Sequence, residues 1–260
     1  MICPGGGYAN DIGQRGRSTG CLSLWQWGIM QQFFVTALHR HVSRGTSAVG
    51  YSSCNAYVRM QINGILILRK LLSRGSSAGG HLAASLGVFW NKPFVAEALE
   101  MDAEKFCPNG LMLSYPVITS GEKAHQGSFE SVLGEDYADE EKLRFLSLEF
   151  NVTKDTPPTF MWHTAPDDTV PVENSLLFFQ ALHALDIPAE LHIYPVGGHG
   201  LGLATAETSC PNGYGIQAEC ETWVQLAGDW MKHTFEAKEI MKAKKKGTAI
   251  IAAISVTVKR

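Results

Sequence analysis

The sequence lacks the features that mark several classes of protein. Its 22 Lys and Arg residues are outnumbered by 25 Asp and Glu residues, which gives a net charge of −3. This balance offers no basic surface, so we expect no nucleic-acid partner. The apolar run from Ala249 to Val258 contains Ser and Thr and is too short to cross a bilayer. No basic segment followed by an apolar one opens the chain, so we expect a soluble, cytoplasmic protein without membrane contact.

Cysteine and metal-ligand patterns are also scarce. The six cysteines are scattered, form no Cys-x-x-Cys pair and are too dilute for a disulfide scaffold, so we expect thiols. No His-x-x-x-His pair stands beside Glu or Asp at ligand spacing. The acidic cluster at 135–141 is typical of a solvated helix start rather than of a metal site. The sequence therefore predicts neither a metal nor a cofactor.

The rest of the composition is that of a globular α/β protein. With 260 residues, of which 45% are hydrophobic and 18% charged, the chain fits one domain with a large core. Strand-like and helix-like patterns alternate from residue 78 onwards, and this alternation predicts a mostly parallel central sheet with helices on both faces. The strand candidates are 110–118, 158–164 and 190–196, and the helix candidates are 78–90, 172–185 and 216–235. In the helix at 172–185 we expect Leu176, Phe179 and Leu182 to face the core.

The segment from Gly75 to His81 has the Gly-x-Ser-x-Gly form of a nucleophile elbow. At such an elbow a serine occupies a strained turn between a strand and a helix, and small neighbours let the backbone fold tightly. The helical run that follows begins at Ala78. Ser77 is therefore the candidate nucleophile.

Two further candidates come directly after predicted strands. Asp167 follows 158–164, and His199 lies in a glycine-rich turn after 190–196. The carboxyl ends of parallel strands meet at one edge of a sheet, so Ser77, Asp167 and His199 should converge there. The order Ser, Asp, His is that of α/β-hydrolases. Asp167 is a better candidate acid than Asp168 because it stands at the strand exit.

Candidate groups for binding an oxyanion are backbone amides. Gly6 and Gly7 follow an early strand, and glycine lets the backbone approach a substrate closely. The N–H of Ala78, at the start of the elbow helix, would join them. His81 and His163 lie inside regular elements, which favours packed or hydrogen-bonded side chains over a catalytic base.

These motifs resemble the α/β-hydrolase esterases grouped with acetyl-xylan esterases and related to prolyl-oligopeptidase-type peptidases. The resemblance covers about eight residues at the start and 75–235. It implies the α/β-hydrolase fold, with Ser77 as nucleophile, Asp167 as acid and His199 as base, and substrates that are short acyl esters, often acetyl groups on sugars. A small-molecule or carbohydrate ester is the expected partner. The matching segments are 2–8, 75–82, 115–118, 163–171 and 198–200.

The chain departs from this family in two places. The family has further strands before the glycine loop, so the resemblance implies that N-terminal strands are missing here. It also has a strand, a helix and an apolar elbow strand where this chain has 10–74; Ile65 to Leu68 could be a strand, but Arg69 and Arg74 conflict with a buried one.

We hypothesise that 10–74 is largely a frame-shifted reading of the expected gene. Codons can be chosen so that a neighbouring frame of 63–73 reads WNIDPEKIIV, which is typical of the family. Sequencing the encoding DNA tests this, because the absence of a strand and a helix in every other frame would refute it. We expect residues 1–240 to form a single α/β-hydrolase domain in which 10–74 are atypical and poorly ordered. Residues 241–260 then form a basic and apolar tail.

Three functions are open on this sequence. The first is a serine carboxylester hydrolase that works through an acyl-enzyme. The second is a prolyl-oligopeptidase-type peptidase, which the lack of a propeller or other gating domain disfavours. The third is an inactive product in which a damaged sheet leaves the motifs unassembled.

Overall fold

The computed structural model describes residues 2–3, 5–7 and 71–245, and within them it contains a five-stranded parallel sheet. Neighbouring strands in the sheet are also consecutive along the chain. Strands β3 and β4 are buried at every residue, as expected for strands covered on both faces. The strands are β1 (Ile2–Cys3), β2 (Leu72–Ser76), β3 (Gly110–Ser114), β4 (Thr159–Thr164) and β5 (Ala189–Tyr194).

Helices connect the strands and cover both faces of the sheet. Alternate residues of β3 separate two apolar clusters: Leu111 packs beneath the first helix, and Met112 packs with Trp223 on the opposite face. This three-layer arrangement confirms the predicted α/β class. The helices are α1 (Ala78–Phe89), α2 (Pro93–Leu99), α3 (Gln126–Leu133), α4 (Glu140–Leu146), α5 (Glu173–Ala184) and α6 (Trp223–Lys245).

Strand β2 carries polar residues where a buried strand would be apolar. It pairs residue by residue with β3 despite Ser73 and Arg74. The Ser73 hydroxyl donates to the carbonyl of Ala83, and the Arg74 guanidinium lies 5.4 Å from the centre of the Trp223 ring. Both side chains are buried with polar or aromatic partners, which offsets the loss of hydration. The strand candidate at 65–68 and all but residues 71–74 of the segment 10–74 in the frame-shift hypothesis lie outside the described residues.

Two helix predictions need correction. In α5 the side chains of Phe178 and Leu182 face the core, whereas Leu176 is 42% exposed, contrary to the prediction that it is buried. Phe178 and Leu182 are four positions apart and share a face that excludes Leu176. Helix α6 begins at Trp223 rather than near Ile216, because the preceding segment makes turns in which Gly215 has φ +101°.

The acidic cluster at 135–141 forms a helix start, as predicted. The Asp139 carboxylate accepts hydrogen bonds from the backbone N–H groups of Glu141 and Lys142 at the beginning of α4.

Among the described residues, no helix combines the length and the apolar character needed to cross a membrane.

Candidate active site

Ser77 occupies the sharp turn between β2 and α1. Its φ of 56° is in the left-handed region, which is strained for a residue other than glycine. Two glycines make this turn possible. A Cβ at Gly75 would overlap the carbonyl of Gly79, and one at Gly80 would come within 2.7 Å of the Pro116 side chain. The small residues of the motif are therefore required by close backbone packing.

The structure brings together the three side chains of the predicted triad. His199 Nε2 lies 2.8 Å from Ser77 Oγ, and His199 Nδ1 lies 2.7 Å from Asp167 Oδ2. Because an ionised carboxylate can only accept, Nδ1 carries the proton in the neutral ring. Nε2 is then left to accept a hydrogen bond from the Ser77 hydroxyl. This is the arrangement that a general base requires.

Asp167 is buried and receives several hydrogen bonds. Its Oδ1 accepts from the N–H groups of Thr169, at 3.0 Å, and Val170, at 2.9 Å. Burial raises the pKa of Asp167, but hydrogen bonds from His163 and His199 outweigh this effect and lower the pKa well below its usual value. Asp168, the alternative acid, is exposed, and its carboxylate accepts from the hydroxyl of Thr169.

The predicted amide donors lie beside Ser77. Gly6 and Gly7 line the same cavity as Ser77, and Gly7 has φ +60°. A Cβ at the preceding Gly5 would come within 3.0 Å of the Ser77 Cβ, so the glycine loop passes directly over the nucleophile. Ala78 is the first residue of α1, and its N–H therefore has no acceptor within the helix.

The cavity above Ser77 has a volume of about 280 Å³ and includes residues that sequence reasoning missed. The Tyr115 ring lies 5.0 Å from the His199 ring, and its hydroxyl accepts from the N–H of Gly202. The Tyr214 hydroxyl donates to the His199 carbonyl at 2.6 Å. Position directly after β3 could have indicated Tyr115, but no motif marks Tyr214.

His125 also lines this cavity. Its Nδ1 accepts a hydrogen bond from the N–H of Ser128 at the start of α3. Burial lowers the pKa of His125, and the charge of nearby His199 lowers it further. A neutral ring with Nδ1 as acceptor carries its proton on Nε2.

Across the described ranges, no group of His, Cys, Asp and Glu side chains is arranged to hold a metal ion.

The other two histidines near the motifs lie inside regular elements, as predicted. His81 Nε2 donates to the Leu146 carbonyl at 2.8 Å, and burial lowers the pKa of His81 to about 4. His163 is buried in β4 and also contacts the triad acid, with Nε2 3.2 Å from Asp167 Oδ2. Four residues separate His163 from Asp167, and this spacing alone does not predict that their side chains are in contact.

Fold and site together define a serine hydrolase with the α/β-hydrolase fold. The sequence profile of the prolyl oligopeptidase family matches residues 33–210, and the chain belongs to this family. The matched region includes 33–74, part of the segment interpreted above as a departure from the family.

Similar proteins are hydrolases of carbohydrates and esters. The chain is 36% identical over 219 residues to endo-1,4-β-xylanase B of Butyrivibrio fibrisolvens; this match covers 80% of the chain but 33% of that protein. The chain thus spans about a third of the length of this relative. An acetyl ester-xyloside bifunctional hydrolase from Caldicellulosiruptor lactoaceticus is 33% identical, with a TM-score of 0.71 and coverage of 89% of this chain and 80% of that one. A carboxylesterase from Lactobacillus plantarum, 23% identical with a TM-score of 0.73 and coverage of 89% and 84%, shares the fold.

Proposed function

We propose that the chain is a carboxylester hydrolase that cleaves short acyl esters, acetyl esters above all, on carbohydrate such as xylan. The observation that carries the proposal is the position of His199, within hydrogen-bond distance of both Ser77 and Asp167. Two relatives, a xylanase and an acetyl ester-xyloside hydrolase, favour a sugar as the alcohol part of the substrate. The small cavity favours a short acyl group.

The proposed reaction begins with attack by Ser77. As Oγ bonds to the ester carbonyl carbon, its proton moves to His199 Nε2, and the ionised Asp167 stabilises the imidazolium that forms. The tetrahedral intermediate collapses, the bond to the alcohol oxygen breaks, and His199 returns the proton to that oxygen. The products of this half-reaction are the free alcohol and an acyl group on Ser77.

Water completes the cycle by the same route. His199 takes a proton from water, the oxygen attacks the acyl carbon, and collapse of the second intermediate releases the carboxylic acid and restores the Ser77 hydroxyl. In both steps the developing oxyanion would accept hydrogen bonds from the N–H of Ala78 and from Gly6 and Gly7. Loss of one such donor typically raises the barrier by about 3 kcal/mol.

Hydrolysis of an aryl acetate tests the proposal. We expect the wild-type chain to release acetate and Ser77→Ala to lose turnover, since alanine offers no nucleophile. Ser131→Ala in α3 is the matched control and should retain wild-type turnover. Equal activity in Ser77→Ala and wild type would contradict the assignment.

A peptidase of the prolyl oligopeptidase type is the second candidate, favoured by the family match. The same triad would then attack a peptide bond after proline. Activity on a proline-containing peptide anilide but not on acetylated xylo-oligosaccharides would reverse the ranking.

A non-catalytic product is the third candidate. A fluorophosphonate probe distinguishes it, because such a probe labels only an activated serine. We expect labelling of Ser77 in a chain that melts cooperatively. No labelling, together with no cooperative melt, would support an inactive product.

A further inference from the structure

A second histidine contacts the carboxylate that His199 contacts. His163 lies in β4 with its side chain fully buried. Its Nε2 is 3.2 Å from Asp167 Oδ2 and 2.9 Å from the Val170 carbonyl oxygen. On the other side of the ring, Nδ1 is 2.8 Å from the hydroxyl of Ser175 in α5. Every nitrogen of this ring therefore has a partner.

These partners fix where the ring carries its proton. The Val170 carbonyl and the ionised Asp167 can only accept, so Nε2 must be the donor. In the neutral ring Nδ1 is then an acceptor, and the Ser175 hydroxyl donates to it. The acceptors at Nε2 thus set the tautomer of a histidine that points its N–H at the triad acid, and the Ser175 hydroxyl on α5 adapts to it.

We propose that His163 is a positioning residue for Asp167, holding Oδ2 against His199 Nδ1 through its own Nε2–H, which is shared between Oδ2 and the Val170 carbonyl. The inference rests on the proposed function, since it concerns the acid of that same triad. Two backbone N–H groups donate to Oδ1, and the orientation of the carboxylate about its Cβ–Cγ bond then depends also on the donors to Oδ2. Two imidazole donors, His163 and His199, converge on this oxygen.

The electrostatic effect of His163 supports the geometry. Burial disfavours the charged carboxylate and raises the pKa of Asp167, while the hydrogen bond from His163 is the foremost of the contacts that lower it. His163 therefore helps to keep the acid ionised in a buried place. The other groups that interact with the charge of Asp167 are His199, His125, Tyr115 and Tyr214.

A matched pair of variants, His163→Gln and His163→Asn, distinguishes a donor at the position of Nε2 from one at the position of Nδ1. Gln places an amide nitrogen near the position of Nε2 and can still donate to Asp167, whereas Asn reaches only the position of Nδ1. We expect His163→Asn to lower kcat for an aryl acetate about tenfold, with KM within about twofold, because the acid is misplaced rather than the substrate site. His163→Gln should recover most of this loss.

The pH profile gives a readout that loss of packing would not move. Without the His163 donor, Oδ2 is no longer held against His199 Nδ1 and stabilises the imidazolium less. We expect the acidic midpoint of the kcat/KM profile to fall by about 0.5 pH unit in His163→Asn and to stay near wild type in His163→Gln. Equal losses in the two variants, or a wild-type profile in His163→Asn, would overturn the proposal.

An NMR titration of the His199 ring reads the same coupling without any substrate. A lower midpoint in His163→Asn than in His163→Gln supports the inference even if the wild-type chain does not hydrolyse the ester. Identical midpoints in folded samples of both variants overturn it, whatever the activity. Failure of the proposed function and failure of this inference are thereby distinguished.

Discussion

The nucleophile side of the site and the acid side are held by different forces. Ser77 is held by backbone packing: its turn needs glycines at 75 and 80, and its N–H donates to the Ser114 carbonyl. Asp167 is instead held by hydrogen bonds from two amides and from His199, and by its contact with the N–H of His163. Steric packing is indifferent to protonation, whereas hydrogen bonds to a carboxylate depend on its charge. The nucleophile should therefore be sensitive to added volume and the acid to removed charge.

Removal of the charge on the acid side should have the largest effect. In Asp167→Asn the amide oxygen can replace Oδ1, but the ring of His199 loses the carboxylate that fixes its Nδ1 proton. We expect kcat for an aryl acetate to fall about 10⁴-fold, measured by steady-state kinetics at neutral pH. Asp168→Asn changes the same charge at an exposed position and should stay within about twofold of wild type. Comparable losses in both variants would show that the acid has been misassigned.

Added volume on the nucleophile side should act on stability. In Gly75→Ala the new methyl overlaps the Gly79 carbonyl, and the backbone of the elbow must shift. We expect the free energy of unfolding to fall by about 3 kcal/mol or more, measured by urea denaturation.

Gly134→Ala is the control for this change. Gly134 has φ +56° and nothing within 4 Å of the added methyl, so it should lose about 1 kcal/mol from backbone strain alone. If Gly75→Ala lost no more than this control, packing would not be what holds the elbow.

Acid should destabilise the nucleophile side through His81 in α1. The folded pKa of about 4 lies below the ordinary histidine pKa of 6.5, so between these values the unfolded chain binds a proton that the folded chain does not. Stability is thus complete above pH 6.5 and falls as the pH drops to 4, by about 3 kcal/mol.

Urea denaturation at several pH values between 4 and 6.5 measures the slope of the free energy of unfolding against pH. His81→Gln keeps a donor for the Leu146 carbonyl but does not titrate, so the slope should flatten. His183→Gln, at an exposed position of α5, should leave it unchanged. The lowered pKa of Asp167 contributes a separate loss, which begins below about pH 4. An unchanged slope in His81→Gln would contradict the assignment to His81.

The smallest effect should come from the loop that carries the base. Tyr214→Phe removes the hydrogen bond to the His199 carbonyl but keeps the ring. One such bond contributes about 1 kcal/mol, so kcat should fall about fivefold. Tyr137→Phe, away from the cavity, should retain wild-type kcat. No change in Tyr214→Phe would mean that the loop is held by other contacts.

The residues that could be located from the sequence are those with a local signature. Ser77, Asp167 and His199 each follow a strand within a short motif, and the parallel sheet supplies the rule that strand ends meet. Tyr214 depends on how the loop after β5 folds back on His199, and Arg74 on a Trp far along the chain. Such contacts leave no periodic pattern. The exposure of Leu176 was missed because a helical pattern does not give the rotation of the helix against the sheet.

The two-residue strand β1 has a consequence for how the site fails. Within the described residues it lies at the edge of the sheet, and Cys3 pairs with Gly75 across a longer stretch of chain than separates any other paired strands. Its pairing with β2 extends over two residues, against five between β2 and β3, so fewer backbone hydrogen bonds hold it in the sheet. The glycine loop follows this strand directly and so belongs to the described segment that is least protected against local opening. Amide hydrogen exchange should open there first, and the chain should lose its oxyanion donors while the sheet beneath Ser77 is still folded.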